Sequence, residues 1–392
     1  MTTGEAIEKT VNNSLPTKYI RDDEWYLDDG NLVMVVEDRL FRLHRYLFTR
    51  ESVFFRTLLS LPQAKYFDGE ILEGQSDEHP IVCQGDSAED FKALCWVLYA
   101  RPTEVLAQQD WHSVDIPRLI RIVALSHKYD FNLYETWAFK TLEDHSTTHD
   151  ESTFLREMKT LENLRRICSL AIKCGKNRLA RRIQSMVLCR LSKTPTTYSS
   201  ALDVAEGLEE MREFQGKAYY TFLRAIGAFG TGERGLSLDD VVKTASNSEV
   251  DRALSQVSPD HRHRLYAGFW SLSRLRLKLA HPPTLDTDSP CPENHSQICV
   301  LGWQSWWRRI LSDLGRNKKY ANDPGELITL LQKRSNQGSI QFQLAASQPA
   351  INIPCNTRIR MQVTAMRGAF DKSLSDRFLI PPFEEGCQAQ QD

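Results

Sequence analysis

The chain has 392 residues, a formal charge of -2, and 41% hydrophobic and 26% charged residues. That length allows two or three domains with sizeable cores, and the near-neutral balance gives no general attraction to a membrane surface or a nucleic acid. No apolar run approaches bilayer-crossing length, and the polar N-terminal stretch has no secretory apolar core. Nine cysteines lie scattered without framework spacing. They fit reduced thiols, so the expected compartment is the cytoplasm or the nucleus.

In chain order, residues 1–25 are polar and weakly apolar, and read as a flexible leader. Leu32 to Val36 is a continuous apolar run, the pattern of a buried strand. Glu37-Asp38-Arg39 is a polar turn. Phe41 and Leu43 then alternate inward against an outward Arg42, which completes a hairpin. After His44-Arg45, the apolar positions Leu47, Phe54, Phe55, Leu58 and Leu59 follow helical spacing in two short helices. A Gly-, Asp- and Glu-rich loop follows, then a short strand at Ile81-Val82-Cys83. Ser87 stands where an N-cap is needed, ahead of Phe91, Leu94, Cys95 and Leu98 on one helix face. Pro117 suits the first turn of a helix carrying Leu119, Ile122, Val123 and Leu125, and a closing helix runs to residue 146.

Two separated tracts carry a resemblance. One is Phe41, Leu43, His44, Arg45 and Leu47, followed by Ser52 and Phe55. The other is Leu119, Ile122, Ala124, His127, Lys128 and Tyr129. Together they resemble the signatures of the BTB/POZ domain over residues 26–146. The resemblance implies an α+β chain: an N-terminal BTB/POZ fold, a short sheet packed with a helix cluster, followed by an all-α C-terminal region. It also implies binding rather than catalysis, with protein partners and self-association through the BTB domain. In that family an upstream acid (here Asp28 or Asp29) and a His-Arg pair (His44 and Arg45) form a charged pocket near the dimer contact, beside helices that here include Phe54. The plainer reading is that His44 caps or packs at a helix start. Ile71-Leu72-Glu73 matches the apolar-x-acid motif of cullin-binding members, Ile71 plugging a groove and Glu73 meeting a basic rim. The main function expected is a homo- or hetero-oligomerising scaffold; the alternative is a substrate adaptor for a cullin-based ubiquitin ligase.

Residues 150–315 read as all-helical. Gly175 is placed to end one helix, and Cys174 before it reads as a structural thiol. A long helical pattern follows from Ala201, weakened at Gly216, and Ser258-Pro259-Asp260 begins another helix. Trp303, Trp306, Trp307, Ile310 and Leu314 share a helix face and read as core, with Phe269 and Trp270 joining them. ICSLAIKCG, HRLYAGFWSLSRL and CPENHSQICVLGWQSWW resemble the C-terminal part of fungal, mushroom-type BTB-domain proteins, which brings no known activity. Residues 316–392 read as a partly disordered tail with helix-like stretches at 323–334 and 361–379.

Two constellations point elsewhere. Cys291, His295 and Cys299 are spaced C-x3-H-x3-C, and thiolate and imidazole suit zinc, but a structural site needs four ligands and the fourth candidate, Cys355, is remote. The expectation is therefore no cofactor, with a structural zinc on Cys291, His295, Cys299 and Cys355 as the alternative. Arg165, Arg166, Lys173, Lys176, Arg178, Arg181, Arg182, Arg190 and Lys193 fall in a stretch without an acid. Without stacking aromatics or a recognisable motif they read as solvated helix faces, and nucleic acid is not an expected partner. A zinc- or nucleic-acid-binding regulator is the third functional reading. No phosphate loop, nucleophile elbow, metalloprotease or kinase motif is present, so no enzyme is expected.

Overall fold

The structure, a computed structural model, describes residues 19–61, 73–230, 249–285, 291, 295–337 and 351–379. It is mostly helical with one small sheet near the N-terminus, an α+β architecture. Two compact units divide the chain: residues 1–159 with 170–179, and residues 160–169 with 180–392.

In the first unit, β2 (Leu32–Val36) and β3 (Arg39–Leu43) form the expected hairpin, with Val36 opposite Arg39 and Leu32 opposite Leu43. Glu37 takes a positive φ of 55° at the two-residue turn, a conformation such tight hairpins require. All five β2 side chains are buried, which is why the strand reads as an unbroken apolar run. Met34 and Phe41 share one face, and Phe41 packs edge-on against Phe91 at 4.8 Å. Val33, Val35 and Leu40 lie on the other face, covered by Tyr19 and Tyr26. Phe48, Phe55 and Phe131 extend the Phe41 side into a fully buried aromatic cluster. Each such ring contributes about 1.5–3 kcal/mol by leaving water.

The leader expected through residue 25 ends earlier. Ile20–Tyr26 is a strand, β1, parallel to β3, and with β4 (Ile81–Val82) it gives the sheet order β1-β3-β2-β4. The charged run Arg21 to Glu24 hides it from periodicity. Backbone bonds from Ile20 N to Asp38 O and from Leu27 N to Arg42 O, both 2.9 Å, hold it instead. Asp22 interrupts the register and accepts from the backbone of Glu24 and Trp25, turning Trp25 inward.

Apart from a short helix at Pro102–Ala107, which the sequence does not lead one to expect, the helices of this unit fall where the residue pattern places them. They are α1 (Arg45–Glu51), α2 (Val53–Leu58), α3 (Ala88–Tyr99), α4 (Pro102–Ala107), α5 (Ile116–Lys128), α6 (Asn132–Thr148) and α7 (Glu151–Glu157). Ser87 caps α3 by accepting from Asp90 N, and Asp115 caps α5 from Arg118 N, which puts Pro117 at the second helical position. Ser52 caps α2 from Phe55 N and donates to Tyr129 O at 2.6 Å, so one hydroxyl joins both signature tracts.

The helices α8 (Leu161–Lys173) and α9 (Asn177–Lys193) supply residues to both units. The second unit also holds α10 (Arg212–Ala225), α11 (Glu249–Ser255), α12 (Pro259–Lys278), α13 (Leu301–Gly315), α14 (Pro324–Asn336) and α15 (Ile353–Phe378). The single long helix expected from Ala201 is instead two 3-10 turns and α10. The break falls at Gly207, whose φ is 74°, rather than at Gly216. Gly216 serves packing: a Cβ there would lie 2.6 Å from Ser375 Cα on α15. Residues 316–337 and 351–379, expected as part of a tail, supply two helices packed into this unit. Trp303, Trp306, Trp307, Ile310 and Leu314 are buried as expected, with the Trp303 and Trp307 indoles donating to Pro283 O and Leu279 O at 2.9 Å. Trp270 does not join them. It is 63% exposed, with Arg274 stacked on its ring.

Candidate functional site

Cys291, His295, Cys299 and Cys355 converge in the second unit, their donor atoms all within 4.8 Å of one another. Cys299 sits on a π-helical turn (Ser296–Val300) that runs directly into α13, and His295 is the N-cap residue of that turn. Cys355 arrives from the first turn of α15, just after its N-cap Asn352. The local C-x3-H-x3-C spacing thus finds its fourth donor across about sixty residues of sequence.

The geometry is that of a cation cage. Cys291 Sγ lies 3.8 Å from Cys299 Sγ and 3.4 Å from Cys355 Sγ, and Cys355 Sγ lies 3.4 Å from His295 Nδ1. These separations are far beyond the ~2.05 Å of a disulfide. Four donors at zinc bond lengths on a tetrahedron would stand about 3.5–3.8 Å apart. Asn352 Nδ2 donates to Cys291 Sγ at 3.4 Å. That bond, with the neighbouring donors, brings the Cys291 thiol down to about 7. Burial and the adjacent thiols push Cys355 up to about 12, and burial raises Cys299. Three thiols this close cannot all ionise unless a cation lies between them. His295 Nε2 is buried with no hydrogen-bond partner. A Cys3His cluster that could hold a metal ion is therefore present, and the donor set fits one.

The residues expected to bind a partner fall into two groups. His44 is the N-cap of α1; its backbone N–H donates to Tyr99 Oη at 2.9 Å, and its Nδ1 lies 3.0 Å from the same oxygen. His44 Nε2 faces Asp29 Oδ2 at 3.3 Å, so the acid of the pair is Asp29 rather than Asp28. Asp29 is largely exposed, and an open pair of this kind contributes about 0–1 kcal/mol. Burial pushes the Tyr99 hydroxyl up to about 12. Arg45 does not join the pair. Its guanidinium donates to Leu59 O and its backbone N–H to Asn31 Oδ1, so it fastens α1 to its surroundings. Phe54 is 39% exposed and leans on Phe55 and Tyr129. Glu73 is exposed, and Ile71 lies outside the described residues.

Lys128 and Tyr129 gain their meaning from Asp86, a residue the sequence does not single out. Lys128 Nζ reaches its Oδ1 at 2.6 Å and the Tyr129 hydroxyl donates to its other oxygen. The basic tract is partly engaged in packing. Arg165 donates to the backbone oxygens of Asp203 and Glu206, Arg178 pairs with Glu143 at 3.2 Å, and Arg190 stacks on Tyr198.

A polar network around the buried His261 and Tyr219 of the second unit is also invisible in the sequence, because its members come from separate stretches. His261 Nε2 meets Asp203 Oδ1 at 2.7 Å and its Nδ1 meets Tyr219 Oη at 2.6 Å. Arg264 bridges Tyr219 Oη and Glu206 Oε2. That hydrogen bond and Gln215 hold the Glu206 carboxyl below its usual range despite partial burial. Burial raises Tyr219 to about 12. Among the described residues, no helix is long and apolar enough to cross a membrane. No protein-family model, no curated protein and no solved structure matches this chain.

Proposed function

We propose that this chain is a non-catalytic protein–protein interaction scaffold of the BTB/POZ kind. It associates with a second copy of itself through α1 and α2, and its second unit is held by a structural zinc ion. The observation that carries the scaffold reading is the run of exposed apolar side chains on those helices and the turn after them: Tyr46, Val53, Phe54 and Leu61. Covering such side chains contributes about 1.5–3 kcal/mol each before the cost of association is subtracted. The element order supports the same reading: a hairpin, two short helices, a short strand, a long helix and a closing helix pair. The Asp29–His44 pair beside α1 would set orientation more than strength.

Light scattering on the full chain over a concentration series tests self-association. The expected result is a dimer or larger that becomes monomeric when Tyr46→Asp and Val53→Asp are combined, with circular dichroism unchanged. A strict monomer at every concentration would remove the proposal.

The zinc assignment rests on the four donors at tetrahedral separations. All four positions are filled by side chains, which marks a closed, structural site rather than an open catalytic one. The ion would pin the start of α15 to the lead-in of α13, and because it binds only the folded arrangement its affinity adds to stability. Metal analysis of the purified chain is expected to show one tightly held equivalent of zinc that Cys355→Ser removes. Less than one equivalent from a folded chain would falsify the assignment.

A further inference from the structure

Three helix ends of the first unit meet at a place that neither reading uses. His127 lies in the last turn of α5, Glu135 in the first turn of α6, and Cys174 follows the last turn of α8. The chain reverses between α5 and α6 through Asp130, whose φ is 56°, so residues eight apart come face to face. Gly175, at φ 69°, ends α8 with backbone bonds from its own N–H to Ile172 O and from Lys176 N to Ala171 O. The result is one nitrogen, one oxygen and one sulfur donor within 4.8 Å of one another.

A nucleophilic site would need the imidazole beside the thiol as its base. Here the carboxylate is the thiol's neighbour, and burial together with Glu135 pushes Cys174 up to about 11. What the trio can do together is hold a cation. His127 Nδ1 and Glu135 Oε2 stand 3.3 Å apart, the separation expected of two ligands bonded at about 2.0–2.1 Å on a tetrahedron. Thiolate and carboxylate would neutralise a divalent charge. The mixture of sulfur, imidazole and carboxylate suits zinc better than magnesium or calcium. His127 is about half exposed, with 48% of its side chain accessible, so a fourth position opens to water.

The geometry points to a second, open-sided site for a zinc-class divalent cation on His127, Glu135 and Cys174, completed by water. Loading it exchanges the thiol proton for the metal: Cys–SH and Zn2+ give a Cys–S–Zn unit of charge +1, which the Glu135 carboxylate neutralises, and a released H+. The site is independent of the Cys3His cluster. It differs from that cluster in having an exchangeable position, where a donor from another molecule could replace the water.

Zinc titration of the full, metal-stripped chain by calorimetry tests this, alongside Cys174→Ser, His127→Ala and Cys355→Ser. The expected result is a binding event, weaker than that of the Cys3His cluster, which Cys355→Ser leaves in place. Cys174→Ser and His127→Ala should each weaken it by at least about tenfold, the loss typical of even an outer-shell partner. Cadmium in place of zinc should show sulfur-to-metal charge transfer from both sites, with the intensity of one thiolate lost in Cys174→Ser and that one-thiolate contribution kept in Cys355→Ser. His127 is exposed, so its substitution keeps the test open if the cysteine variant folds poorly. Saturation at a single equivalent that Cys355→Ser abolishes would overturn the proposal. So would a second equivalent that survives the combined His127→Ala and Cys174→Ser change.

Discussion

His261 has both ring nitrogens engaged inside the second unit, and the pattern fixes who donates. Arg264 can only donate, so Tyr219 Oη accepts from it and gives its own hydrogen to His261 Nδ1, while Nε2–H points at Asp203. Tyr219→Phe deletes one oxygen and leaves a buried ring nitrogen without a partner. The expected cost is about 1–3 kcal/mol, read as a lower urea midpoint with unchanged slope; an unchanged midpoint would mean the network adds nothing to stability. None of its members can be chosen from the sequence, because Asp203, Tyr219, His261 and Arg264 become neighbours only when three elements pack. Cys291, His295 and Cys299 are legible for the opposite reason, since four-residue spacing is a local property. Cys355 is legible only as a remaining cysteine. Trp270 is exposed against expectation because helical spacing does not say which face is covered.

At the scale of elements, α15 shows how little side chain a close crossing tolerates. Gly216 on α10 lets the backbone of Ser375 approach, and Gly268 on α12 accommodates the ring of Phe378. Gly216→Ala forces a Cβ to within 2.6 Å of main-chain atoms that cannot swing aside, so it should destabilise by about 1–3 kcal/mol. Gly368, on α15 itself, faces open space where a Cβ would point. There the change to Ala should stabilise by up to about 1 kcal/mol through helix propensity alone. Thermal melts of the two variants should move in opposite directions; a shared direction would mean the crossing is looser than described. The hairpin is readable because an unbroken apolar run followed by an alternating one is a pattern periodicity detects. The neighbouring β1 is not, because backbone bonds and two inward residues hold a strand whose side chains are mostly charged.

At the scale of the molecule, the Cys3His cluster belongs to one unit only. Chelation should therefore act unevenly along the chain. Hydrogen exchange in a strong chelator is expected to lose protection in peptides from α13 and α15 and to keep it in peptides from β2 and β3. Uniform loss, or none, would count against a metal that staples the second unit. How the units are assembled is not legible in the residue pattern. A boundary near residues 146–150 is natural where one helical pattern ends and another begins, yet residues 170–179 belong to the first unit and 160–169 to the second.

That interleaving bears on how the protein can be taken apart. A fragment stopping at residue 146 lacks the returning stretch 170–179, and one starting at 150 carries that stretch without the unit it completes. Any single cut between them therefore separates residues that one compact unit groups together, so a deletion study has to trim within a unit rather than between the two.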